Sequence, residues 1–146
     1  MILTHSVLEA IRAHAARAYP FEACGFILGL LAEKGQDPGQ VRGLGVLEAV
    51  NSRDPESSRR RFNVEPEEFL EAELEADRRG LGIVAIYHSH PDHPAAPSDN
   101  DLQKALPYYR YLIVSVEKGQ PKEATLWLLL ADRSAFAAED IITGQD

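Results

Sequence analysis

Residues 87–102 read YHSHPDHPAAPSDNDL. His88 and His90 stand two apart, Ser98 and Asp101 stand three apart, and prolines at 91, 94 and 97 break the chain between the pairs. Imidazole suits Zn²⁺ as a borderline ligand. On a strand, alternate side chains share a face, so both imidazoles would point one way and Ser89 the other. On a helix that starts at Ser98, positions three apart are neighbours, and Asp101 can supply a third, anionic ligand. Three protein ligands with a water in the fourth position are the pattern of a catalytic zinc, one ion per chain. Plainer readings use the same residues. A surface His-x-His needs no metal, and Ser98 with Asp101 is also an S-x-x-D helix cap. His93 sits in a proline-rich turn that exposes it, which makes it the weaker ligand, and Asp92 and Asp99 read as solvated.

These side chains need a strand before them and a helix after. The run LGIVAIYHSH (81–90) is apolar and bounded by glycine, as a buried strand would be. SDNDLQKAL (98–106) is a short helix stopped before Pro107. Upstream, residues 6–18 place Val7, Leu8, Ile11 and Ala15 at helical spacing, with Ser6 and Glu9 as a capping box. FEACGFILGLLA (21–32) and VRGLGVLEAVN (41–51) read as strands, separated by the turn at 33–40. Residues 52–61 read as an exposed loop and 62–64 as a brief strand. A second helix runs over 65–80, with Pro66 in its first turn, arginines in its last and Gly80 just beyond. Strands at 109–117 and 122–131 flank the turn KGQP, and the C-terminal segment from 139 is expected to be loosely held. No phosphate-binding glycine loop occurs. The expected fold class is mixed α+β (α/β): a curved mixed sheet of five or six strands with helices packed on it.

Composition limits the function classes. A length of 146 residues suits a single domain, 1–146. The net charge of −8 argues against nucleic acid or an anionic membrane as a partner. A single cysteine, Cys24, excludes an internal disulfide framework and a four-cysteine zinc site, and fits a reducing cytoplasm. Cys24 lies in an apolar run and reads as a buried thiol rather than a nucleophile. No apolar run reaches the ~20 residues needed to span a bilayer, and the first residues lack the basic-then-apolar order of a signal peptide.

His-x-His, seven residues, Ser, two residues, Asp, all behind an apolar strand, resembles the signature of the JAMM (MPN-domain) zinc metalloproteases. The resemblance extends over nearly the whole chain. It takes in the leading helix, YPFEACGFILG with Glu22, the asparagine closing EAVN (Asn51), the RRF before the second helix, and the YLIVSV strand. It implies the MPN fold, layered like the cytidine deaminases, and zinc held by His88, His90 and Asp101. It also implies Glu22 as the base that takes a proton from the zinc-bound water and returns it to the leaving amine, and Ser98 as the donor to the oxyanion. The implied partner is a ubiquitin-fold carrier protein cut after a C-terminal Gly-Gly, releasing an amino acid, a peptide or a protein adduct. The short connection after Asp101 leaves little room for the insertion that grips a second ubiquitin in eukaryotic members. A tail could lie in a groove near Asn51, Arg61 and Phe62, or add to an open sheet edge, and the loop at 52–61 could cover the site. The expected assembly is a monomer or weak homodimer. Other classes stay in view. A non-catalytic scaffold of the same fold typically lacks metal ligands that this chain keeps, and a module could bind metal without catalysis. A zinc deaminase needs His-x-Glu and paired cysteines, which one cysteine cannot supply.

Overall fold

The computed structural model describes residues 1–33, 37, 40–51, 63–107 and 109–146. The elements run β1 (Ile2–Thr4), α1 (His5–Ala18), β2 (Cys24–Leu30), β3 (Arg42–Ala49), α2 (Pro66–Arg78), β4 (Gly82–Pro91), α3 (Asp99–Lys104), β5 (Arg110–Glu117), β6 (Gln120–Leu129), β7 (Phe136–Glu139) and β8 (Ile142–Gly144). The strands form one mixed sheet in the order β7-β6-β5-β4-β2-β3-β1-β8. β4 lies inside it, antiparallel to β2 and parallel to β5. That position explains its sequence: residues 83–90 are all buried, and a strand covered on both faces is near-continuously apolar rather than alternating.

Helices cover both faces. α1 packs Val7, Leu8, Ile11 and Ala15 onto one face, against Ala85, Tyr87, Leu112 and Val114. α2 lies on the other, where Ala72 and Ala76, one turn apart, let the helix sit close to Phe26, Leu28, Ile83 and Ile86. Edge-to-face contacts from Phe69 to Phe26 and Tyr109, with centroids 5.1 and 5.6 Å apart, hold it there. From Ala85 onward β4 alternates cleanly. Ala85 and Tyr87 turn toward α1, and Ile86 toward α2 and α3. Gly25 lets the Tyr87 ring lie against β2, since a Cβ there would come 2.5 Å from the Tyr87 hydroxyl and from the Leu47 carbonyl oxygen.

Several expectations change. Among the described residues the sheet has eight strands rather than five or six, because β1, β7 and β8 are three or four residues long and carry no readable period. The C-terminal segment is held: β8 pairs parallel with β1, and Asp146 accepts from the Ser6 amide at 3.0 Å. Thr4, not Ser6, caps α1, accepting from the Val7 amide. Asn63 and Val64 lie in no strand, and α3 ends at Lys104, two residues early. Arg61, Phe62 and the loop at 52–61 lie outside the described residues.

Candidate active site

Strand alternation carries His88 and His90 onto the face shared with Ile86, each 1% exposed. Prolines 91, 94 and 97 turn the chain back to Ser98, which caps α3. The Ser98 Oγ accepts from the Asp101 amide at 3.1 Å, and the Asp101 Oδ2 accepts from the Ser98 amide at 2.8 Å. This capping box turns the Asp101 carboxylate inward over the histidines. His88 Nε2 lies 3.1 Å from His90 Nε2, and each is 3.2 Å from an Asp101 oxygen. The cap and the ligand readings of Ser98 and Asp101 are therefore compatible, since one carboxylate serves the helix start and faces the imidazoles.

The donor set can be tested against a metal. Zn–N and Zn–O bonds of about 2.0–2.1 Å in a tetrahedron put ligand atoms about 3.3 Å apart, and the observed contacts are of that size: 3.1 Å between the two imidazole nitrogens and 3.2 Å from each to a different oxygen of Asp101. The protonation states agree. Burial lowers the His88 pKa against the pull of Asp101, which favours the neutral, ligating ring. Burial would raise the Asp101 carboxyl, but the facing His88 and His90 rings and the Ser98 amide hold it well below the usual carboxylate range, so it stands as an anion. His90 Nδ1 lies 2.8 Å from the Pro94 carbonyl oxygen. Donation there fixes the tautomer and leaves the Nε2 lone pair aimed at the cluster. Three lone-pair donors converging in a buried site are complementary to a cation. His88, His90 and Asp101 form a group that could hold a metal ion.

Glu22 joins this site from the segment just before the neighbouring strand β2. The β2–β4 register pairs Cys24 with His88. One residue earlier the Ser89 amide donates to the Ala23 carbonyl and the Ala23 amide donates to Ser89 Oγ, at 2.9 and 2.8 Å. That clamp sets Glu22, itself 2% exposed, beside His90. A Glu22 oxygen, a His90 nitrogen and a His93 nitrogen lie within 4.8 Å of one another. The Asn51 side chain donates to the Glu22 carbonyl at 3.1 Å and accepts from the Asn63 amide at 3.2 Å. Asn51 thus braces the Glu22 backbone rather than simply lining a groove.

A family model described as prokaryotic homologs of the JAB domain matches residues 4–130. The chain belongs to this JAB family. The JAB chain is 32% identical over 108 residues to the desampylase of Pyrococcus furiosus, an alignment covering 74% of this chain and 66% of that protein, just under two thirds of its length. It is 30% identical over 117 residues to a probable TtuB-protein conjugate cleaving protease of Thermus thermophilus, covering 80% and 71%. A solution structure from Salinibacter ruber superposes with a TM-score of 0.76 at 41% identity, covering 99% of this chain and 92% of that one.

Some parts of this JAB site were not legible. Asp92 is exposed as expected but not merely solvated: its carboxylate accepts from the Tyr19 hydroxyl at 2.6 Å and from the Lys118 amide at 2.8 Å. It ties the turn after β4 to the end of α1 and to the β5–β6 hairpin. His93 is exposed, yet its ring stacks on His90 with centroids 4.0 Å apart. The outer partner of His90 is a backbone carbonyl, which no residue type signals. Cys24 is fully buried, and burial pushes its thiol up to about 12, so it offers no thiolate. The outer strands β7 and β8 are separated from β4 by two and three strands, whereas β1 pairs only with Arg42 and Gly43 of β3, so residues 44–49 of β3, one strand from β4, keep an outer edge without a strand partner among the described residues. Among the described residues, no helix is long and apolar enough to cross a membrane.

Proposed function

We propose that residues 1–146 act as one zinc-dependent peptidase domain that hydrolyses the amide bond after the C-terminal Gly-Gly of a ubiquitin-fold or sulfur-carrier protein. The reading rests above all on one observation: His88, His90 and Asp101 converge in a buried cluster whose facing atoms are spaced as zinc ligands are, with Glu22 beside it. The substrate class comes from the relatives. One is named a desampylase, the other a protease cleaving TtuB-protein conjugates, and this reading carries that class of bond to the chain.

One Zn²⁺ per chain would be held by His88, His90 and Asp101, with a water as the fourth ligand. Zinc in that place supplies Lewis acidity, which polarises a carbonyl and lowers the pKa of water toward ~7. The Glu22 carboxylate takes a proton from the attacking water. As the water oxygen bonds to the carbonyl carbon and the C–N bond breaks, Glu22 passes that proton to the leaving nitrogen. Ser98 is exposed, and its hydroxyl has two separable capacities. A lone pair accepts the Asp101 amide, while the O–H hydrogen donates to the oxyanion that develops on the carbonyl oxygen. Capping and catalysis therefore draw on different parts of one group. The net charge of −8 and the single thiol fit a cytoplasmic protein, and the same reading takes it to be a monomer or weak homodimer.

The test is cleavage read by intact mass. Zinc-loaded protein meets small ubiquitin-fold carriers extended past Gly-Gly, with Glu22→Gln and chelator-treated samples alongside. Cleavage after Gly-Gly, absent from both controls, is expected. Zinc-loaded wild type that cleaves no carrier would instead support a metal-binding or scaffold role.

A further inference from the structure

The two flanks of the buried cluster differ, and the proton path decides which flank holds which half of the substrate. Glu22 must reach the leaving nitrogen, so the leaving residue lies on the Glu22 side. That side carries His93, one of whose ring nitrogens is within 4.8 Å of a Glu22 oxygen. The opposite flank, at His88 and Asp101, opens into a smaller cavity of about 140 Å³ lined largely by Phe26, Val64, Phe69, Ile86 and Tyr111, with Lys104 also in its wall, and its mostly apolar lining suits an apolar side chain.

A second cleft, of about 480 Å³, opens on the His93 flank. Asp92, His93 and Pro94 form one wall, and Glu117, Lys118 and Lys122 of the β5–β6 hairpin form the other. The hairpin is a two-residue turn, with Glu117 paired to Gln120 and positive φ at Lys118 and Gly119 (49° and 83°). It is anchored where the Lys118 amide donates to Asp92 Oδ1 at 2.8 Å. Asp92 is also engaged by Tyr19, which leaves Glu117 as the other acid of the lining. Among the described residues neither Lys118 nor Lys122 forms an ion pair, so two ammonium groups stand available beside the leaving side of the site.

We propose that this cleft binds the leaving group, with Lys118 and Lys122 holding its free α-carboxylate. The preferred leaving group is then a C-terminal extension of one to three residues rather than a lysine side chain within a folded protein. Each added residue extends the reach by up to about 3.5 Å, so the extension length selects how the carboxylate meets the lysines. This inference rests on the hydrolysis reading above.

The experiment uses full-length, zinc-loaded protein and carriers ending in Gly-Gly followed by one, two or three residues. Each carrier is prepared as the free acid and as the C-terminal amide, beside a carrier joined through an isopeptide bond to a protein lysine. The expected result is a kcat/KM for the best free acid about fivefold or more above its amide and above the isopeptide conjugate, as a charge-assisted contact at a part-exposed site gives. The preference should shrink with added salt and disappear in Lys118→Ala/Lys122→Ala. Acid and amide cleaved alike by wild type, or a preference that survives the double substitution, would overturn the assignment. Failure of wild type to cut any carrier is a separate result: it removes the hydrolysis reading, and the cleft assignment falls with it.

Discussion

The two faces of β4 use polar residues in opposite ways. Toward α1, polar groups meet partners of complementary kind. The Tyr87 hydroxyl lies 2.7 Å from His14 Nδ1. Burial raises the Tyr87 pKa and lowers that of His14, so the phenol keeps its proton and donates it to a neutral imidazole. Ser89 is likewise satisfied by the Ala23 amide. Toward α3, one residue along in each case, His88 and His90 meet each other and a carboxylate, and their lone pairs converge. The first arrangement is complete as it stands, while the second calls for a cation. Alternate positions of one strand therefore divide the work: one face keeps the sheet attached to its helix, and the other holds a site.

That division implies that activity and stability separate by face. The largest effect is expected at the metal ligands. His88→Ala or Asp101→Asn should abolish turnover together with zinc, with folding retained by circular dichroism. Glu22→Gln should lower kcat by about 10²–10⁴, the range of a lost general base, without loss of metal. Ser98→Ala should cost about 10²–10³ in kcat for the missing oxyanion donor. It should also cost about 1 kcal/mol of stability for the missing cap, and Ser98→Thr should restore the cap more fully than the rate. On the other face the sign of the pattern reverses. Ile11→Ala should destabilise by about 2–5 kcal/mol while turnover per folded, zinc-loaded molecule stays near wild type. Large loss of kcat from Ile11→Ala, or large loss of stability from Glu22→Gln, would break the comparison.

The smallest effect sharpens it. The folded pKa of His14 lies below its unfolded value, so the unfolded chain binds more protons across that interval. Stability from this source is full above pH ~6.5 and declines as pH falls from there toward the folded pKa. His14→Gln keeps an acceptor for Tyr87 without titrating, and should flatten that part of the Tm-against-pH curve. An unchanged slope would remove His14 from the account.

Legibility in the sequence follows the same physics. The cluster could be read because strand alternation and helix spacing are local rules, and residues 88, 90, 98 and 101 obey both. Glu22 could not be placed by such rules, because its position depends on a register between strands more than sixty residues apart. The family resemblance supplied it instead. β1 and β8 pair from opposite ends of the chain and are too short to show a period of their own. His93 read as an exposed turn residue, since stacking on His90 leaves it exposed. Asn51 read as a groove contact because an amide that braces backbone resembles, in sequence, one that faces a ligand.

The most direct measurement is zinc stoichiometry by native mass spectrometry on wild type, Glu22→Gln and His88→Ala, prepared in parallel and checked for folding. The expected values are one ion, one ion and none. Zinc retained by folded His88→Ala, or lost from Glu22→Gln, would contradict the division between ligands and base on which the site rests.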